Sequence, residues 1–184
     1  MPRFVVLLRG VNVGKANRVP MEAFRRLLEE MGYTGVRTLL NSGNAVFTAP
    51  ARSDSAHARA IAETLQASLG IAVPVIVKER RRFTSIVSQC PITPPDGHHS
   101  RFLVAFPQAG SALEALTAVV PLVQTPERFV VGEHAAYLYC ARGILESKAA
   151  TALLGKMGRT LTTRNWSTVM KLRELLDAPR SGQA

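Results

Sequence analysis

The chain has 184 residues, 47% of them apolar, which is enough to bury a core and excludes global disorder. Lys and Arg outnumber Asp and Glu by 23 to 13, a formal charge of +10. Such an excess favours anionic partners, although solubility accounts for it equally well.

Two cysteines, Cys90 and Cys140, lie far apart and show no metal-ligand spacing. They read as reduced, core-packed thiols of a cytoplasmic protein. The first apolar run, Phe4 to Leu8, is too short for a secretory core or a membrane span. No metal, cofactor or membrane partner is expected.

In chain order, Phe4 to Leu8 predicts a buried central strand. A polar loop follows, Arg9-Gly10-Val11-Asn12-Val13-Gly14-Lys15-Ala16-Asn17-Arg18. Pro20 suits a first helical turn, and Met21, Phe24, Leu27, Leu28 and Met31 share one helical face, with Gly32 as the stop. Val36 to Leu40 and Ala45 to Thr48 flank the turn Asn41-Ser42-Gly43-Asn44 and predict a hairpin. Asp54 or Ser55 is placed to cap a helix carrying Ala58, Ile61, Ala62, Leu65 and Leu69, ended by Gly70. Ile71 to Val77 predicts a strand whose Pro74 assigns it to a sheet edge or a bulge, the edge agreeing with a fourth strand of a βαββαβ unit. The charged run Lys78 to Arg82, read as a solvated face, leads into a short helix over Phe83 to Val87.

The prolines from Pro91 to Pro95 mark a connection over 91–100, after which the order repeats. A strand over Arg101 to Phe106 precedes a helix capped by Ser111, with Leu113, Leu116 and Val120 inward. Glu127 to Val131 and Ala135 to Cys140 form a second hairpin pattern around Gly132-Glu133-His134. Ser147 caps a helix stopped by Gly158. A short strand over Arg159 to Thr163 leads to a last helix with Trp166, Val169, Leu172 and Leu176 on one face. The expected fold is α+β, two tandem ferredoxin-like βαββαβ halves, each with an extra helix. Residues 1–90 form the first, 91–100 the connection, 101–178 the second and 179–184 a frayed tail.

Three stretches carry a resemblance: Leu7 to Gly14, Val36 to Asn44, and Thr162 to Val169 with Lys171-Leu172. Together they resemble the bacterial family called domain of unknown function 1697 across nearly the whole chain. The resemblance implies two ferredoxin-like halves and no assigned activity. The first loop departs from the family pattern of two glycines followed by lysine and asparagine, with Ala16 standing between Lys15 and Asn17.

Among candidate site residues, Arg9, Asn12, Gly14, Lys15, Asn17 and Arg18 form a glycine-bearing cationic loop at a helix entry, suited to a phosphate. Neither the P-loop spacing nor Gly-x-Gly-x-x-Gly occurs. Ser42 and Asn44 add hydrogen-bonding groups, although turn chemistry alone explains both. Arg164 offers a bidentate fork, Asn165 a polar contact or a helix cap, and Lys171 a further cation. Trp166 suits either a stacked ring or the core. No catalytic constellation emerges, and the histidines at 57, 98, 99 and 134 fit no nucleophile pattern. The expected partner is a phosphorylated small molecule or nucleic acid. An enzyme acting on a small anionic substrate between the halves, and an oligomerising scaffold without a ligand, are the alternatives.

Overall fold

The computed structural model describes residues 1–14 and 17–179. The elements run β1 (Arg3–Leu8), α1 (Met21–Glu30), β2 (Thr34–Leu39), β3 (Asn44–Thr48), α2 (Asp54–Leu69), β4 (Val75–Glu79) and α3 (Arg80–Ser88). After them come β5 (Phe102–Pro107), α4 (Ser111–Glu114) with a 3-10 extension over Ala115–Leu122, β6 (Arg128–Val131) and β7 (Ala136–Tyr139). The chain ends with α5 (Lys148–Leu154), β8 (Leu161–Asn165) and α6 (Trp166–Asp177). The protein is therefore mixed α+β, with two four-stranded antiparallel sheets ordered β2-β3-β1-β4 and β6-β7-β5-β8. By packing the chain divides into two units. One holds Met1–Phe83 with the segment from Leu172, and the other holds Thr84–Lys171.

In the first unit β1 is central and wholly apolar from Phe4 to Leu8, as its sequence requires. Phe4, Val6 and Leu8 join a core with Phe24, Leu27 and Leu28 of α1 and Ile61 and Leu65 of α2. Val5 and Leu7, on the other pleat, are also buried. The edge placement of β4 holds, but Pro74 lies just before the strand rather than inside it. Its carbonyl accepts the Arg9 N–H at 3.0 Å, while its own nitrogen has none to give.

The cap of α2 is Ser53, whose Oγ accepts the Ala56 N–H, not Asp54 or Ser55. Asp54 instead accepts the Glu79 N–H at 3.0 Å and pairs with Arg82 at 3.3 Å, tying α2 to the exit of β4. The run Lys78 to Arg82 is also not one solvated face. Lys78 sits in β4, buried, and burial holds its ammonium below the ordinary lysine range. The end of α6 is fastened to β1 by Arg3, which donates to the carbonyls of Leu175, Leu176 and Ala178, and Arg80 pairs with Asp177 at 2.8 Å. Cations at a helix C-terminus meet its unpaired carbonyls and its negative dipole end.

His57 is the buried polar centre of this unit. It lies among Phe4, Tyr33 and Phe47, with Nδ1 2.9 Å from the Tyr33 hydroxyl and Nε2 3.2 Å from the Pro50 carbonyl. A carbonyl only accepts, so the neutral ring carries its proton on Nε2 and accepts the Tyr33 O–H hydrogen bond at Nδ1. Burial keeps its pKa below the usual histidine value.

In the second unit the helix after β5 tightens into 3-10 geometry. Ser111 is its first residue and Gly110 its cap, without the expected side-chain bond. A three-residue repeat turns Leu113, Leu116 and Val119 inward and leaves Val120 exposed, correcting the inward placement of Val120. Pro121 within the stretch has no N–H for a helical bond. The hairpin is as expected, closed by the Gly132 N–H on the Ala135 carbonyl at 2.8 Å. Ser147 caps α5 through the Ala150 N–H. The helix ends at Gly155, and Gly158 closes a separate 3-10 turn beyond it. The last strand pairs with β5 two residues later than the sequence suggests. Both cysteines are free thiols, and burial pushes Cys140 up to about 11. Pro179 is exposed, and the rest of the expected tail, 180–184, lies outside the described residues.

Candidate functional site

The loop after β1 is built from left-handed residues. Gly10, Asn12, Gly14 and Asn17 have φ of 65°, 57°, 63° and 50°. Asparagine and glycine are the residues that tolerate this region. Val11 and Val13 stand between them with ordinary negative φ, so the sign alternates over five consecutive residues. Where the negative-φ residues are right-handed, alternation of this kind turns successive N–H groups toward one side, the geometry of a concave nest for an anion. Among the described residues none accepts the N–H of Val13 or Gly14.

Asn12 holds the loop together. Its Nδ2 donates to the Val19 carbonyl at 2.9 Å and to the Asn41 carbonyl at 2.7 Å, while its Oδ1 accepts the Val19 N–H at 2.8 Å. Its backbone N–H reaches the Asn17 carbonyl, and Asn17 Nδ2 returns to the Gly10 carbonyl. Asn12 and Asn17 therefore act on the loop itself. The β2–β3 turn docks on the same loop: the Leu8 N–H donates to Gly43 O at 2.8 Å. A Cβ on Gly43, at φ 75°, would stand 2.6 Å from Leu8 Cβ and 2.7 Å from Val11 Cγ2. Buried Asn44 donates to Leu39 O and Ser42 Oγ, so the turn supplies its own polar partners.

The structure thus brings Arg9, Asn12, Gly14 and Asn17 together with Ser42 and Asn44. Lys15 lies outside the described residues. Arg9 is half-buried and Arg18 exposed. Helix α1 starts just beyond, at Met21, with Pro20 as its extended N-cap residue rather than in the first turn, and with no side-chain cap. Glu22 in its first turn is turned to Arg25 and Arg26, and the Arg25 hydrogen bond holds its carboxyl below the usual range. Two residues of this region escape sequence reasoning. Val13 is 73% exposed, and Leu40 is 51% exposed at φ 57°. The Leu40 conformation has no sequence signal, because leucine disfavours it.

The remaining candidates belong to the second unit. Arg164 is only 8% exposed, and its Nη1 donates to Thr162 Oγ1 at 2.8 Å and to the Thr163 carbonyl at 2.7 Å. Burial pushes its guanidinium down to about 10. Asn165 Oδ1 accepts the Thr168 N–H at 2.9 Å and so caps α6. Trp166 is half-buried, edge-on to Phe102 at 5.3 Å between centroids. Lys171 is exposed.

A separate cavity of about 470 Å³ in the first unit is lined by Arg3, Glu29, Thr34, Arg37 and Thr48 among others. Among the described residues no three His, Cys, Asp or Glu are placed to hold a metal ion. No described helix is long and apolar enough to cross a membrane.

Two four-stranded antiparallel sheets in two units, with a left-handed loop after the first strand, define an α+β protein. The chain belongs to the family described as "Protein of unknown function (DUF1697)", which matches residues 1–137. No curated protein matches it. Among solved structures it is similar to a conserved bacterial protein, SP0830 from Streptococcus pneumoniae. The two are 22% identical with a TM-score of 0.74, over 96% of this chain and 99% of that one. At that identity the likeness speaks for the fold alone.

Proposed function

We propose that the chain binds a phosphate-bearing anion in the loop Gly10–Gly14, flanked by Arg9 and Arg18. The observation that carries this reading is the alternation of left-handed Gly10, Asn12 and Gly14 with Val11 and Val13. Main-chain N–H groups held this way receive phosphate oxygens without needing a P-loop sequence. The Asn12 bonds and the docked Gly43 turn keep the concavity formed before a ligand arrives. Ser42 and Asn44 support the turn. Arg164 and Asn165 have folding duties in β8 and α6, so the binding role expected of the Thr-Arg-Asn-Trp segment is not carried into this reading.

The test is an amide NMR titration with inorganic phosphate and pyrophosphate. The expected result is saturable shifts confined to Gly10–Gly14 and their neighbours, with affinity falling about tenfold in Arg9→Ala. Unmoved Gly10–Gly14 amides at high millimolar ligand would refute it.

We also propose that each unit is a ferredoxin-like βαββαβ half, with α3 and α6 as the extra helices. The support is the shared strand order, in which the first strand of each sheet lies between the third and the fourth. The boundaries at 1–90 and 101–178 are proposed as the repeating units of sequence.

A further inference from the structure

Leu40 and Val13 stand outside the buried core of the first unit. Both are aliphatic and exposed, and Leu40 is also held in a conformation that leucine disfavours. Their loops are joined, since Asn12 next to Val13 donates to the carbonyl of Asn41 next to Leu40. Arg9 and Arg18 flank the first of these loops, and neither segment 9–18 nor segment 40–44 has an acidic residue in its sequence. The anion nest proposed above would lie within the same loop.

We propose that this end of the first unit docks on an anionic phospholipid surface, with a lipid phosphate at the nest and Val13 and Leu40 entering the acyl boundary. The phosphate contact rests on the nest reading; the insertion of Val13 and Leu40 does not. Charge complementarity selects the occupant. Both loops lack acidic residues and the first is flanked by Arg9 and Arg18, on a chain of formal charge +10. A nucleic acid would call for stacking rings, and neither loop carries an aromatic residue. A protein partner needs a contact of roughly 800 Å² per side, far more than two aliphatic tips supply, whereas a lipid surface needs only apolar tips ringed by charge. The expectation of no membrane partner rested on the lack of a spanning segment, and surface binding requires none.

The experiment is co-sedimentation of the full chain with vesicles of phosphatidylcholine alone and of phosphatidylcholine with phosphatidylglycerol in equal parts. Phosphate titration of the same proteins by NMR runs beside it. The expected result is binding to the anionic vesicles alone, weakened by salt. Leu40→Asn should weaken vesicle binding about fivefold or more while leaving phosphate affinity unchanged, and Val13→Ser should weaken vesicle binding similarly. No vesicle binding overturns the proposal, and the phosphate titration then reports separately whether the nest reading stands. Equal vesicle binding by wild type, Leu40→Asn and Val13→Ser also overturns it, because net charge alone would explain the result. An oligonucleotide that binds the wild type, displaces it from vesicles and loses affinity on Leu40→Asn would assign the surface to nucleic acid instead.

Discussion

The loop Gly10–Arg18 and the corner Thr162–Asn165 contain the same kinds of residue, asparagine and arginine beside small or polar neighbours, yet use them in opposite directions. In the corner, Arg164 is buried and its donors are directed into the protein, to Thr162 and Thr163. Asn165 faces the first turn of α6. In the loop, asparagine side chains take up the internal bonding, leaving Arg18 exposed and the N–H groups of Val13 and Gly14 without an acceptor among the described residues. Residue type alone does not make a binding site. What separates the two is whether the polar groups are already satisfied by the fold.

The largest expected effect attacks the frame of the loop. Gly43→Ala combines a left-handed φ with close contact on Leu8 and Val11, and should destabilise the protein by ~4 kcal/mol in urea unfolding. It should also abolish phosphate-induced shifts at Gly10–Gly14. Wild-type stability would mean that the turn and the loop are not packed as described. Next comes the contrast between the two arginines. Arg164→Ala removes a buried side chain and should cost ~3 kcal/mol. Arg18→Ala should leave the unfolding midpoint unchanged and lower phosphate affinity. Equal midpoints for the two variants would erase the distinction between inward and outward cations. The smallest effect has the opposite sign. Leu40→Asn relieves a left-handed leucine and should stabilise by ~1 kcal/mol. A loss of stability would show that Leu40 packs against something the fold needs.

Much of the frame was legible in the residues. A continuous apolar run marked β1 as central, Pro74 pointed to a sheet edge or a bulge, and Asn-Ser-Gly-Asn marked the hairpin. The 3-10 stretch was not, because Leu113 and Leu116 fit both a helical and a three-residue spacing and only the structure turns Val119 inward. Lys78 hid in a charged run, since a strand buries residues by their position in the sheet whatever their neighbours are, and Val75 to Lys78 are all buried. Arg164 misled for the same reason: β8 is buried on the pleat that carries Thr162 and Arg164. The cationic loop was visible as composition. Its alternating backbone was not, because φ at Val11 and Val13 depends on how Asn12 is bonded at a distance.

The His57–Tyr33 pair makes the proton a ligand of the unfolded chain. Folded His57 resists protonation, chiefly because it is buried; the Pro50 bond acts against that, nearby Arg52 reinforces it and Asp54 opposes it. Once unfolded, the same ring takes a proton near its ordinary pKa of about 6.5. Acid therefore draws the equilibrium toward the open chain: stability should fall as pH drops through about 6.5, then level off below the folded pKa. Urea midpoints measured between neutral and mildly acidic pH should show this slope in the wild type, and His57→Gln should lack this residue's share of it. An unchanged slope in His57→Gln would assign the acid sensitivity to other groups.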